Sequence, residues 1–129
     1  MGTGPRREPA FEAESEAYAL FQRGTAFLRQ RHPAQAAMLL SRALHLEPGR
    51  NSVREALGRA EYALGHHARA AELFAAVVGD VPDNDYAHYA LSRCLAETGR
   101  GEEARGHLRL ARALRPDSEL YRRSLPPSG

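Results

Sequence analysis

Pro48, Pro82 and Pro116 stand 34 residues apart, and that interval runs through the whole chain. Ala36, Ala70 and Ala104 keep it, as do Leu40, Phe74 and Leu108, and Ala43, Val77 and Ala111. Gly24 and Gly58 match across the same interval, with Ser92 in third place. Three unbroken units, 17–50, 51–84 and 85–118, account for 102 of the 129 residues and leave a head of 16 and a tail of 11. A repeat of this length is a single supersecondary unit. It cannot bury its apolar face alone, so its copies must stack on one another.

Each unit reads as two helices. The first members are expected over 18–31, 52–64 and 86–98, and the second over 34–46, 68–78 and 102–114. Breaks fall at His32-Pro33, Gly65 and Gly99-Arg100-Gly101. Each second helix stops ahead of its proline, which lacks an amide hydrogen and disfavours helix in the residue before it. Asp83 and Asp117 are expected to cap the helices that follow. Small side chains at Ala36, Ala70 and Ala104 let the two helices of a pair approach, and Leu40, Phe74 and Leu108 fill the space one turn on. Composition agrees. Ala, Leu, Arg and Glu favour helix, whereas Ile and Trp are absent and β-branched residues are few. All 18 basic residues are arginine, which a GC-rich genome explains as readily as any function.

This pattern resembles the tetratricopeptide repeat (TPR) family. Unit one supplies Leu20, Gly24, Phe27, Ala36, Leu40, Ala43 and Pro48. Unit two supplies Leu57, Gly58, Ala70, Phe74, Val77 and Pro82. Unit three supplies Leu91, Leu95, Ala104, Leu108, Ala111 and Pro116. The resemblance implies an all-α fold, an α-solenoid of three TPR helix-turn-helix pairs. Its first helices would line a concave groove and its second helices would form the convex back. The domain is expected over 11–125, with residues 1–10 a disordered head. A short C-terminal capping helix over about 117–125 would use Leu120, Tyr121 and Leu125, ahead of a tail at 126–129.

Steps of three and four residues place Tyr18, Phe21, Thr25, Leu28 and Arg29 of unit one on the groove face. Ser52, Glu55, Arg59, Tyr62 and Ala63 of unit two, and Tyr86, Tyr89, Arg93, Ala96 and Glu97 of unit three, share it. Aromatic residues and arginine dominate interface energies, and arginine grips a carboxylate with paired hydrogen bonds. The expected ligand is therefore a peptide or partner protein with apolar side chains and a carboxylate near Arg59 and Arg93. The family's carboxylate clamp for chaperone tails does not fit. Its five slots hold Phe21, Thr25, Arg59, Tyr89 and Arg93, and only Arg93 matches.

The resulting expectation is a non-enzymatic adaptor. A small chaperone shielding a client segment is the alternative, and a nucleic-acid-associated protein using Arg105, Arg109, Arg112 and Arg115 of the last helix is a lesser one. A net charge of +2 does not single out a polyanion. No cofactor or metal is expected. His66-His67 has no partner at i+4, and His88 and His107 make a pair without a third ligand. Cys94, the lone cysteine, sits in a small packing slot and suits a reducing cytoplasm. The N-terminus lacks a secretory apolar core, and no apolar run is long enough to span a membrane. Arg23 and Glu61 replace apolar residues of the repeat, and two readings stand: an ion pair across units one and two, or an Arg23 that snorkels from the chain end while Tyr62 takes over the packing of Glu61's slot. A thin cap would leave the C-terminal end open to dimerisation or docking.

Overall fold

The computed structural model describes residues 8–124. They form seven helices and no strand: α1 (Glu16–Arg29), α2 (Pro33–Leu46), α3 (Asn51–Ala63), α4 (His67–Asp80), α5 (Asp85–Glu97), α6 (Gly101–Leu114) and α7 (Glu119–Arg123). Each of the first six packs on its neighbours in sequence, so three hairpins stack in order and α7 closes the C-terminal end against α6. Residues 1–7, and Leu125 with the tail at 126–129, lie outside the described residues. Glu8 and Pro9 do not. They were expected within the loose head, yet both are hydrogen-bonded to residues around the start of α3.

The repeat positions carry the core. Ala36, Leu40, Ala43, Ala70, Val77, Ala104 and Ala111 are fully buried, and Phe74 and Leu108 nearly so. The helices of a pair touch where glycine meets the large residue. A Cβ added at Gly24 would stand 2.6 Å from Leu40 Cγ, and one at Gly58 would stand 2.7 Å from Phe74 Cε2. In unit three Ser92 takes this place, and its buried hydroxyl donates to the Tyr89 carbonyl at 2.7 Å.

Each first helix ends in one left-handed residue at an equivalent position. These are Arg31 (φ 63°), Gly65 (φ 83°) and Gly99 (φ 79°). The amides that follow reach back to carbonyls five residues earlier: His32 to Phe27 at 2.8 Å, His66 to Glu61 at 2.9 Å and Arg100 to Leu95 at 2.9 Å. This is the Schellman closure, which glycine adopts without a Cβ penalty.

Capping differs from expectation by one residue. Asn84 and Ser118, not Asp83 and Asp117, accept the amides of Ala87 and Tyr121 at 3.0 Å and 3.2 Å. Asp83 and Asp117 sit in the preceding turns, one position too early to reach those amides. Ser15 caps α1 in the same way. Arg23 and Glu61 do not pair. Arg23 is exposed, whereas Leu57 and Leu91 at the equivalent positions are buried against the preceding hairpin. The Glu61 carboxylate faces His66 Nδ1 at 3.3 Å.

The cap is anchored by polar contacts as well as packing. The Tyr121 hydroxyl donates to Asp85 Oδ2 at 2.6 Å, and its ring lies 5.1 Å from that of Tyr89. Arg112 Nε donates to the Tyr121 carbonyl at 2.8 Å, and Arg112 Nη2 donates to the Ser124 carbonyl. Part of the basic stripe of the last helix is thereby committed to holding the cap. Leu110, Leu114 and Leu120 remain exposed at this end.

Two substitutions test this account. Arg31→Gly relieves the only non-glycine left-handed residue among those described and should stabilise the fold by about 1 kcal/mol in chemical denaturation. Gly58→Ala, which would favour an ordinary helix, should instead destabilise by roughly 1–3 kcal/mol, because Phe74 must move.

Candidate functional site

Five of the fifteen groove-face residues expected from the sequence meet in one cleft between the second and third hairpins. Arg59 and Tyr62 come from α3, and Tyr86, Tyr89 and Arg93 from α5. Phe74 of α4 forms the floor, Ala90 completes the lining, and the cleft volume is about 210 Å³. The walls are aromatic and mutually braced. Tyr86 meets Phe74 edge-on at 6.2 Å, and Tyr62 meets His67 edge-on at 4.7 Å. The Arg93 guanidinium lies 5.0 Å from the centre of the Tyr62 ring and 6.0 Å from that of Tyr89. An arginine held over ring faces keeps its N–H edge for an acceptor. Burial pushes the Tyr86 phenol above its ordinary value, so it stays protonated and can donate. Phe74 and Ala90 were not expected here. The signal for Phe74 was its size, since Leu40 and Leu108 hold the equivalent positions.

The other ten expected residues lie outside this cleft. Tyr18 and Phe21 pack on Phe11, at ring separations of 5.3 Å and 5.1 Å. Thr25 donates its hydroxyl to the Gln22 carbonyl at 3.1 Å. Leu28 packs against the core between the first and second hairpins. Glu55 lies nearer the start of α3, where its carboxylate accepts from Asn84 Nδ2 at 3.4 Å. Burial raises the Glu55 carboxyl above its ordinary value. The carboxylates of Glu8 and Asp85 add to this, while the Asn84 amide and Arg59 oppose it.

The histidine pair does form. His88 Nε2 donates to the Pro82 carbonyl at 2.8 Å, so His88 Nδ1 accepts from His107 Nδ1 at 2.9 Å. Burial, and then His88, lower the His107 basicity. No group of three potential metal ligands occurs among the described residues. Cys94 is wholly buried, and its thiol is pushed up to about 11 by burial. It fills a packing slot, and the small proportion of thiolate makes it unreactive. No helix among the described residues is long and apolar enough to cross a membrane.

The profile of the tetratricopeptide repeat family matches residues 21–84 and again residues 62–125. No curated protein matches the chain at a significant level. Solved structures do. YrrB, a TPR protein with an unusual peptide-binding site, is 25% identical with a TM-score of 0.78. The match covers 84% of this chain and 56% of YrrB, so this chain spans little more than half the length of that relative. The first TPR of Spaghetti (RPAP3), bound to the HSP90 peptide SRMEEVD, is 16% identical. Its TM-score is 0.78, and the match covers 83% of this chain and 85% of that one. The Arabidopsis OM64 TPR domain is 17% identical, also with a TM-score of 0.78, over 82% of this chain and 88% of its own. The last two likenesses concern the fold.

Glu55→Gln tests the electrostatics of the groove. A raised folded pKa means that the stability present below the ordinary value of 4.5 is lost as pH rises through the folded value. The amide variant keeps the bond from Asn84 and carries no charge. It should therefore match the wild type in urea melts well below 4.5 and exceed it near neutrality.

Proposed function

The chain belongs to the tetratricopeptide repeat family, and from that premise we propose that it is a non-enzymatic adaptor binding an extended peptide segment of a partner protein in its concave groove. The cleft between α3 and α5 is the recognition pocket. Arg59 and Arg93 take a carboxylate there, and Tyr62, Tyr86 and Tyr89 take the apolar part of the same segment. The observation that carries this is the placement of Arg93, with its guanidinium over two tyrosine rings beside a second arginine at the mouth of an aromatic cleft.

Relatives support the class of ligand. YrrB has a peptide-binding site, and the Spaghetti domain holds a peptide ending in acidic residues and valine. The chaperone-tail peptide itself is not the ligand proposed here. Four of the five clamp slots depart from the family pattern, including Phe21 and Thr25 on α1. A fixed aromatic cleft with two cations suits a defined segment better than a variable unfolded client, which favours the adaptor over the chaperone alternative.

The test uses immobilised acidic peptides, each with a free or an amidated C-terminus, and the wild type against an Arg59→Glu, Arg93→Glu double variant. Loss of two charge-assisted contacts should weaken carboxylate-dependent binding at least about tenfold, equivalent to some 1.4 kcal/mol. Unchanged binding by the double variant rejects the carboxylate role. Affinity capture from the native cell separates the wider alternatives. One stoichiometric folded partner fits the adaptor, an unfolded client fits the chaperone, and RNA or DNA fits a polyanion-binding role.

A further inference from the structure

Asn84 caps α5, and the residue 34 positions earlier, at the start of α3, is Arg50, which has no side chain suited to the task. The cap is supplied from outside the repeat. The Glu8 carboxylate accepts the amides of Asn51 and Ser52, the latter at 3.2 Å, and the Ser52 hydroxyl at 2.6 Å. Arg50 completes the arrangement. Its guanidinium lies 3.6 Å from the same carboxylate, donates to the Pro9 carbonyl and sits 3.8 Å from the centre of the Phe11 ring. Phe11 in turn rests on Tyr18 and Phe21 of α1.

Residues 8–11 thus lie without regular structure across the groove-facing positions of unit one and the first turn of α3. They make the contacts a bound peptide would make. A carboxylate sits on exposed helix amides, and an aromatic ring three residues later is held between two rings and a guanidinium. The segment precedes the first repeat and takes part in neither helix of unit one.

We propose that the α1 half of the concave face is a second peptide subsite, selective for an extended segment with glutamate followed three residues later by an aromatic residue, and that residues 8–11 occupy it in cis. A partner carrying that pattern must displace the chain's own segment. This rests on the concave face being the binding surface, but it uses none of the Arg59 and Arg93 chemistry, so the two proposals fail separately.

The tether is short. Residues 12–15 make a turn closed by the Ser15 amide on the Glu12 carbonyl at 3.1 Å, and α1 begins at Glu16. A ligand on so short a linker acts at an effective concentration of about a millimolar. A free peptide of micromolar affinity should therefore bind the wild type roughly 100-fold or more too weakly.

The probe is a fluorescein-labelled peptide of residues 6–13, titrated by anisotropy into the full chain. A Glu8→Arg, Phe11→Ala chain should bind it at micromolar concentration, and the wild type at least about 100-fold more weakly. The same peptide carrying Phe11→Ala should lose binding to the variant chain. Because Phe11 also packs on the core, Glu8→Arg alone serves as the second variant. The Glu8 carboxylate bonds to Arg50, Asn51 and Ser52, which are half-buried and belong to no core cluster, and the variant should bind the peptide at least about tenfold more tightly than the wild type. Equal affinity for wild type and both variants overturns the proposal, as does no binding to a Glu8→Arg chain with an unaltered circular dichroism melt. A wild-type dimer in sedimentation that Glu8→Arg abolishes would assign the contact to a second copy and overturn occupancy in cis.

Discussion

The contact between a glycine backbone and a large side chain at the middle of the first two hairpins governs the rest of the architecture. Gly24 receives Leu40 and Gly58 receives Phe74 at distances that a methyl group would close. That approach fixes how each first helix sits on its second, and so which face of the first helix is turned outward. Without it, the residues three and four apart on α3 and α5 would not share a surface. The alanines beside this contact are fully buried because the helices are too close for anything larger.

Whatever depends on this local register was legible in the sequence. Hairpin order and the buried alanines follow from the period of 34 and the helical period, both visible in one strand of text. The clustering of Arg59, Tyr62, Tyr86, Tyr89 and Arg93 was legible for the same reason. Phe74 was recognised as core, but the sequence does not say that the edge of a core ring also floors a cleft. What escaped was nonlocal or belonged to an end. Glu8 meets Ser52 across more than forty positions, with no periodicity to announce it; the only trace is the lack of a capping side chain at Arg50. Arg23 sits in an apolar slot of the repeat and is exposed, whereas its equivalents Leu57 and Leu91 are buried against the hairpin before them. Asp83 and Asp117 were chosen on residue type, whereas a single residue of phase decides which side chain reaches the free amide.

The two halves of the groove have opposite character. Toward α1, anionic and aromatic groups of the chain itself cover the surface, and burial raises the Glu55 carboxyl above its ordinary value. Toward α5, two arginines stand at an open aromatic cleft. A segment lying along the groove would meet two arginines at one end and, at the other, the chain's own residues 8–11, which it would have to displace. Tyr121, bonded to Asp85, holds the open end in shape by fixing the start of α5.

The placement of Arg93 over Tyr62 has a mechanical meaning. One residue belongs to the third hairpin and the other to the second. The cleft is therefore a gap between repeats and not a cavity within one. Its width is set by the rotation from one hairpin to the next, as the gap between two turns of a spring is set by the pitch. Winding the superhelix tighter would narrow the jaws, and unwinding it would part the guanidinium from its ring. If the cleft binds a peptide as proposed, grip on it would read out the curvature of the whole stack, and a load applied at either end of the solenoid would be felt there.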